Sequence, residues 1–192
     1  LTLGAQYVAA AIAAALLSRR PSITLTRKNI IGFTSVNDIR TRSQMTDDSS
    51  KGLLVLEQKG QGLIQVRHAV TTDISTIAKA ELSVSRAKNR MAASLRKTVD
   101  EQIIGKIVAD NNAPLVVASA IGGVLSTMVD DGDIVSFSDV QAKFLTNNPT
   151  AIDVRFNYRP AFPINNVSIG FSVDLSSGVL NLTTNTTGVT NG

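Results

Sequence analysis

The sequence predicts an α+β fold in which a mixed or antiparallel sheet packs against two long helices, followed by an extended C-terminal arm. Residues 152–158 and 167–173 alternate between apolar and polar side chains, which indicates strands with one buried and one solvated face. Apolar residues recur at helical spacing over 82–107 and again over 117–128, which indicates two amphipathic helices. A tail rich in Ser, Gly, Asn and Thr begins at Ser176 and supplies the arm.

The two alternating runs are expected to form an antiparallel pair. The segment between them contains Pro160 and Pro163. Because proline has no N–H to donate to a central ladder, this segment must leave the sheet and re-enter it. The prediction is a pair of strands, Ile152–Tyr158 and Val167–Val173, joined by a wide and stiff connection.

Composition limits the chemistry that this chain can perform. With 192 residues the chain can bury one good core, with at most a small satellite. The absence of Cys excludes disulfides and thiolate metal sites. One His and no paired carboxylate spacing leave little for metal binding or general-base catalysis, so neither an enzyme nor a cofactor is expected.

Charge is distributed unevenly along the chain. Residues 1–106 hold 16 Lys and Arg against 8 Asp and Glu, whereas residues 107–192 hold 3 against 7. Two interpretations stay open. These are ordinary solvated faces, or the basic pole of one molecule attracts the acidic pole of the next and builds an open helical polymer.

The N-terminal part begins with an Ala-rich helix, Gln6–Leu17, which is too short to span a bilayer, so membrane insertion is not expected. Residues Ser22–Val36 are expected to be extended, and Asn37–Lys51 to be a polar surface loop or the place of an inserted domain. A hairpin of residues 53–58 and 63–68 turns at two Gly residues. The expected buried set of the extended segment is Ile23, Leu25, Ile30, Ile31 and Phe33.

Two local features of this part and the next bear on what the chain could bind. His68 is expected to be structural, because the chain has no second His and no Cys to complete a metal site. The helix from about Ser83 to Ala109 carries basic residues, which fits a solvated face, an acidic protein partner or nucleic acid. Nucleic acid is the weakest of these, since no aromatic residue is interleaved for stacking.

The second helix is expected to start with Asn112 as its cap and Pro114 in its first turn. The Gly122–Gly123 pair suggests close approach of a neighbouring backbone. The acids at 130–133 suggest an exposed helix end, because the spacing of a calcium loop is absent. A strand over Ile134–Ala142 follows.

Together, these pieces resemble the C-terminal portion of contractile bacteriophage tail sheath proteins, and of sheath subunits in related contractile injection particles. The resemblance lies in the order of three stretches rather than in any one of them. The stretches are Tyr7–Ala10 before Leu25–Lys28, the basic helix before Asn111–Leu115, and Val154–Phe156 leading through Pro160–Ile164 to Val167–Ile169.

The resemblance implies a structural subunit that polymerises as stacked hexameric rings around a tail tube and contracts to drive the tube through the host envelope. It implies as partners other copies of the chain, the tail tube protein, and baseplate and tail terminator proteins, without direct nucleic-acid binding. The implied location is the virion tail, with assembly in the host cytoplasm. A non-polymerising basic module that binds nucleic acid or an acidic protein is the alternative.

The resemblance also implies where contacts lie and how the chain is divided. Expected divisions are 1–70 as a helix and hairpin segment, 71–175 as the α+β sheath domain, and 176–192 as the arm. Tube contacts are expected on the basic helix or on the start of the helix after Pro114. The candidate residues on the basic helix are Lys88, Arg90, Arg96 and Lys97. The residues expected to donate a strand to a neighbouring subunit are Gly178, Val179, Leu180, Asn181, Leu182 and Thr183.

Overall fold

The computed structural model describes residues 4–37, 39–60, 62–165 and 167–170, and it combines helices with two small antiparallel sheets. This confirms the mixed helix and strand composition that the sequence predicts. Along the described chain the elements are α1 (Ala5–Leu17), α2 (Arg42–Ser50), β1 (Leu56–Gln58), β2 (Ile64–Val66), α3 (Ile77–Ala80), α4 (Leu82–Thr98), a π-helical segment (Val99–Ile103), α5 (Ala113–Asp130), β3 (Ile134–Leu145) and β4 (Asn148–Pro160).

The longer sheet is a hairpin of β3 and β4. Phe137 lies opposite Tyr158 and Phe144 lies opposite Ile152, in antiparallel register. The predicted pairing of Ile152–Tyr158 with residues 167–173 is therefore wrong. Two residues connect β3 to β4, and so short a connection closes a hairpin at little entropic cost. Residues 167–170 form no strand, and 171–173 lie outside the described residues.

Helix α5 supplies the main hydrophobic core together with β3 and α4. Its buried residues recur at helical spacing on the side that packs against β3, and Leu125 has no exposed surface. By length and composition α5 would also suit a membrane span, with a mean hydropathy of 1.6 over its 18 residues. One side of the helix packs against β3 and α4, and 28% of the helix is buried. The buried members of this cluster are Met91, Val117, Ile121, Leu125, Met128 and Ile134.

The expected capping role of the Asn112 side chain is wrong. The side chain of Asn112 makes no capping hydrogen bond. Instead, Asp110 Oδ1 accepts from the backbone N–H groups of Asn112 and Ala113, each at 2.9 Å. A Cβ placed on Gly122 or Gly123 would meet nothing within 4 Å among the described residues, so the described part of the chain supplies no close backbone neighbour for this pair.

Helix α4 joins this core to a second one. Leu82, at its start, packs against the N-terminal cluster, whereas Met91 and Leu95 pack against the C-terminal cluster. The helix is shorter than the predicted 83–109. Its hydrogen bonding becomes π-helical from Val99 to Ile103, and Gly105, with φ of 72°, lies in the turn that follows.

The N-terminal core lies between α1 and the β1–β2 hairpin. Its buried members are Leu25, Ile30, Val66 and Ala69, and α1 covers them with Ala11, Ile12, Ala15 and Leu16. The predicted α1 and hairpin are thus present, with shorter strands than expected. Two of the residues that we expected to be buried are exposed. Ile31 is 91% exposed and Ile23 is 43% exposed, so the prediction is wrong for both.

The polar stretch Asn37–Lys51 contains a helix, α2, rather than a loop throughout. The Thr41 side chain accepts from the Gln44 backbone N–H, and the Gln44 side chain accepts from the Thr41 backbone N–H. This reciprocal capping box satisfies N–H groups that the first turn of a helix leaves unpaired. Its Thr-x-x-Gln signature is visible in the sequence.

Candidate assembly interface

The basic face of α4 presents three of the four predicted tube-contact residues to solvent. Lys88, Arg96 and Lys97 are exposed. Lys97 is loosely paired along the same face, with its Nζ 3.9 Å from Glu101 Oε1. Because an exposed pair at this distance contributes little free energy, these cations are available to a partner.

The fourth candidate, Arg90, is engaged within the chain. Its guanidinium donates to Asp131 Oδ2 at 2.6 Å and to Asp133 Oδ2. These charge-assisted hydrogen bonds, with Asp131 contributing most, raise the pKa of Arg90. Arg90 therefore ties α4 to the turn between α5 and β3, rather than extending into solvent.

The expectation that the acids at 130–133 are all exposed is wrong. Asp130 is exposed and Asp131 is half-buried, but Asp133 has no exposed surface at all. Besides the Arg90 guanidinium, Asp133 Oδ1 accepts from the backbone N–H of Ser22 at 3.3 Å. The partners lie more than forty positions away in sequence, so no local pattern around Asp133 indicates its burial.

The segment that follows α1 is held at the same place. Arg20 Nη1 donates to the Asp131 carbonyl at 3.4 Å. Arg86, one turn before Arg90 on α4, donates to the carbonyl of Leu16 and, at 3.1 Å, to that of Arg19. Cations are favoured at helix C-termini, where carbonyls have no intrahelical partner. Burial lowers the pKa of Arg86, and nearby Asp133 opposes that shift.

The other predicted tube-contact position, the start of α5 after Pro114, is an apolar surface. Leu115 is 73% exposed and Val116 is 47% exposed. Ile104 and Val108, in the connection before α5, are also exposed. The structure thus gives the two candidate surfaces different chemistry, one basic and one apolar.

The β3–β4 hairpin has the geometry of a strand acceptor. Within the part of the chain that the structure describes, each of its strands is paired only with the other. The outer edges therefore have main-chain N–H and C=O groups that suit another strand. The predicted donor, residues 178–183, lies outside the described residues.

His68 has a structural environment of polar neighbours. Its Nε2 lies 2.6 Å from Glu81 Oε1, and the Asn165 amide approaches the same carboxylate. Over the described ranges, no group of three or more His, Asp or Glu side chains is arranged to hold a metal ion. The sequence marks Glu81 and Asn165 by no motif, so their role was not predictable from it.

Another buried carboxylate, Glu57, holds the β1–β2 hairpin against the segment before it. Its oxygens accept from Arg27 and Arg67, each at 3.0 Å, and from the Gln65 amide. Burial raises the pKa of Glu57, but the Gln65 hydrogen bond and the two guanidinium groups outweigh burial, and the pKa lies below its ordinary value of 4.5.

The chain is similar in sequence and in fold to contractile sheath proteins. A tail sheath protein of Mycobacterium phage Bxz1 is 32% identical over 177 residues, covering 92% of this chain and 30% of that protein. The helical sheath of the anti-feeding prophage in its contracted state has a TM-score of 0.71 at 13% identity, covering 87% of this chain and 49% of that chain. The resemblance to contractile tail sheath proteins is confirmed.

A crystal structure of a sheath tail protein from Listeria innocua shows the same sheath fold. Its TM-score is 0.66 at 17% identity, and the match covers 78% of this chain and 37% of that chain. No model of a protein family matches the chain. The chain spans about a third of the length of the phage sheath protein and no more than half of each of these two structures.

Glu57 predicts a specific dependence of stability on pH. Because its folded-state pKa is depressed, its contribution is present above the unfolded-state value and is lost as pH falls through the folded-state value, below about 4.5. Glu57→Gln is expected to be less stable than the parent chain at pH 7, and the difference should shrink between pH 4.5 and pH 2. Urea unfolding across this range measures the difference.

The control is Asp130→Asn, at an exposed carboxylate, which is expected to change the free energy of unfolding by no more than about 0.5 kcal/mol. A difference between Glu57→Gln and the parent that stays constant from pH 7 to pH 2 would contradict the assignment.

Proposed function

We propose that this chain is part of a sheath subunit of a contractile tail or injection particle, with a structural rather than a catalytic role. The observation that carries the proposal is the 32% identity to a phage tail sheath protein over 92% of the chain. The shared fold with the contracted anti-feeding prophage sheath supports it. The chain would polymerise with copies of itself as stacked hexameric rings around a tail tube, and contraction would drive the tube through the host envelope.

The internal construction of the chain suits this role. A contracting lattice needs subunits that move as near-rigid bodies while their contacts change. Helix α4 contributes to both hydrophobic clusters, and the Arg90 and Arg86 bonds add polar connections between α4, the α5–β3 turn and the end of α1. Force applied at one cluster is therefore transmitted to the other.

We assign the connections between subunits to a strand that one subunit adds to the sheet of its neighbour. The proposed donor is the arm at residues 178–183, within the expected arm segment 176–192, and the proposed acceptor is an outer edge of the β3–β4 hairpin. Main-chain hydrogen bonds supply affinity in such contacts largely independently of side-chain identity. The lattice would stay connected through these strands while it shortens.

Contact with the tail tube is assigned to the basic face of α4. Lys88, Arg96 and Lys97 carry this proposal, because Arg90 is committed to Asp131 and Asp133. Baseplate and tail terminator proteins are proposed as partners at the two ends of the sheath. The proposed location is the virion tail, after assembly in the host cytoplasm.

Polymerisation is tested by negative-stain electron microscopy of the purified chain beside a variant truncated after Ser176. The full chain is expected to form striated tubes, and the truncated chain is expected to stay unassembled because it lacks the donated strand. Circular dichroism of both proteins checks that truncation leaves the fold intact. If the full chain stays monomeric at high concentration, with and without tail tube protein, the sheath proposal is wrong.

The tube contact is tested by reversing charge on α4 with Lys88→Glu, Arg96→Glu and Lys97→Glu together. Association with purified tail tube protein at low salt is expected to fall by roughly tenfold or more, because the attracting face becomes repelling. The matched control reverses three exposed lysines elsewhere, Lys28, Lys51 and Lys59. Equal losses in both variants would contradict a specific α4 contact, and salt-dependent binding of DNA would favour the basic binding module instead.

A further inference from the structure

The segment after β4 lies along the folded body as an extended strip with two different faces. Ala161, Pro163 and Asn165 are half-buried, whereas Phe162 and Ile164 are 48% and 85% exposed. This alternation has the period of two of an extended chain. The strip therefore presents apolar side chains outward and places one polar side chain, that of Asn165, against the body.

Asn165 binds a buried carboxylate that belongs to the start of α4. Its Nδ2 donates to Glu81 Oε1 at 2.7 Å, and the same oxygen lies 2.6 Å from His68 Nε2. The Glu81 side chain is only 5% exposed. Hydrogen bonds to charged groups are stronger than those between neutral groups. The bond to Glu81 can therefore hold a segment that makes few other contacts.

Little else in the described structure holds the strip. Across residues 161–165 and 167–170, the hydrogen bonds to other parts of the chain are those of the Asn165 side chain. The oxygen of the same amide, Oδ1, is buried without a hydrogen-bond partner. Burial of that oxygen costs free energy, and the contact with Glu81 is what offsets it.

We propose that Asn165, Glu81 and His68 form a clasp that fixes where the chain leaves the folded body after β4. With the clasp closed, the strip lies on the body and Phe162 and Ile164 face outward. With the clasp open, the strip is free from Pro160 onward. The role of the clasp in setting the direction of the C-terminal arm rests on the proposed function, whereas the clasp itself does not.

The clasp is tested with two spin labels in the full chain, diluted below the concentration at which it assembles and mixed with excess unlabelled chain so that only distances within one molecule are measured. Because the sequence contains no Cys, labels attach only where Cys is introduced. Ile164→Cys places one label on the outward face of the strip and Lys88→Cys places the other on the exposed face of α4. Double electron–electron resonance spectroscopy then measures the distribution of distances between the two labels. We expect a single narrow peak in this distribution.

Asn165→Asp should open the clasp, because it replaces the donor with a carboxylate that faces Glu81. The ratio of molecules with the strip on the body to molecules with the strip free is expected to fall at least about tenfold. The reason is the loss of a hydrogen bond to a charged group. Adding Glu81→Gln exchanges the amide and the carboxylate between the two positions, and it is expected to restore the narrow population. An unchanged distribution in Asn165→Asp overturns the proposal.

The control is Asn157→Asp in the same labelled chain. Asn157 Nδ2 donates to Asp139 Oδ2 at 2.9 Å on the exposed hairpin, so this change also sets two carboxylates side by side, but away from the strip. The distance distribution is expected to stay narrow. Broadening in the control equal to that in Asn165→Asp would also overturn the proposal, since it would show that any added charge near the hairpin releases the strip. None of these outcomes depends on whether the chain polymerises.

Discussion

The buried carboxylate of Asp133 is the constraint on which the rest of the structure depends. It has no exposed surface, and it is placed directly after the left-handed turn at Gly132, where φ is 74°. A buried charge without a partner costs several kcal/mol, so this turn is stable only where Arg90 and the Ser22 N–H can reach it. Three segments distant in sequence must therefore converge at one point.

This convergence links the two hydrophobic clusters of the chain. Helix α4 packs against the N-terminal cluster at Leu82 and against the C-terminal cluster at Met91. The Arg90 and Arg86 bonds fix its rotation and fix the end of α1 beside it. The sheath proposal requires such internal links, because its subunits would exchange neighbours while keeping their own shape.

The periodicity of the sequence was sufficient to predict the local structure, but not to predict which strands pair. The alternation of Ile152–Tyr158 correctly predicted β4, yet an alternating pattern does not say which strand lies beside it. The two-residue connection to β3 decided the pairing. Helix α2 was missed because its composition is polar, although the capping signature from Thr41 to Gln44 was present.

The assembly surfaces were predictable only in part. The basic residues of α4 follow from charge and helical spacing, and three of the four are exposed. The engagement of Arg90, the burial of Asp133 and the contact of Asn165 with Glu81 join residues 41 to 111 positions apart. Such contacts arise from tertiary packing, and a single sequence contains no local signal for them.

The claim that Asp133 and Arg90 hold the body together is tested most directly by a double-mutant cycle. The free energy of unfolding is measured by urea titration for the parent chain, Arg90→Met, Asp133→Asn and the double variant. We predict a coupling free energy of about 2 kcal/mol or more, because Arg90→Met leaves the buried Asp133 carboxylate without its charged partner, and the double variant removes that unpaired charge. Additivity of the two single changes within about 0.5 kcal/mol would contradict the account.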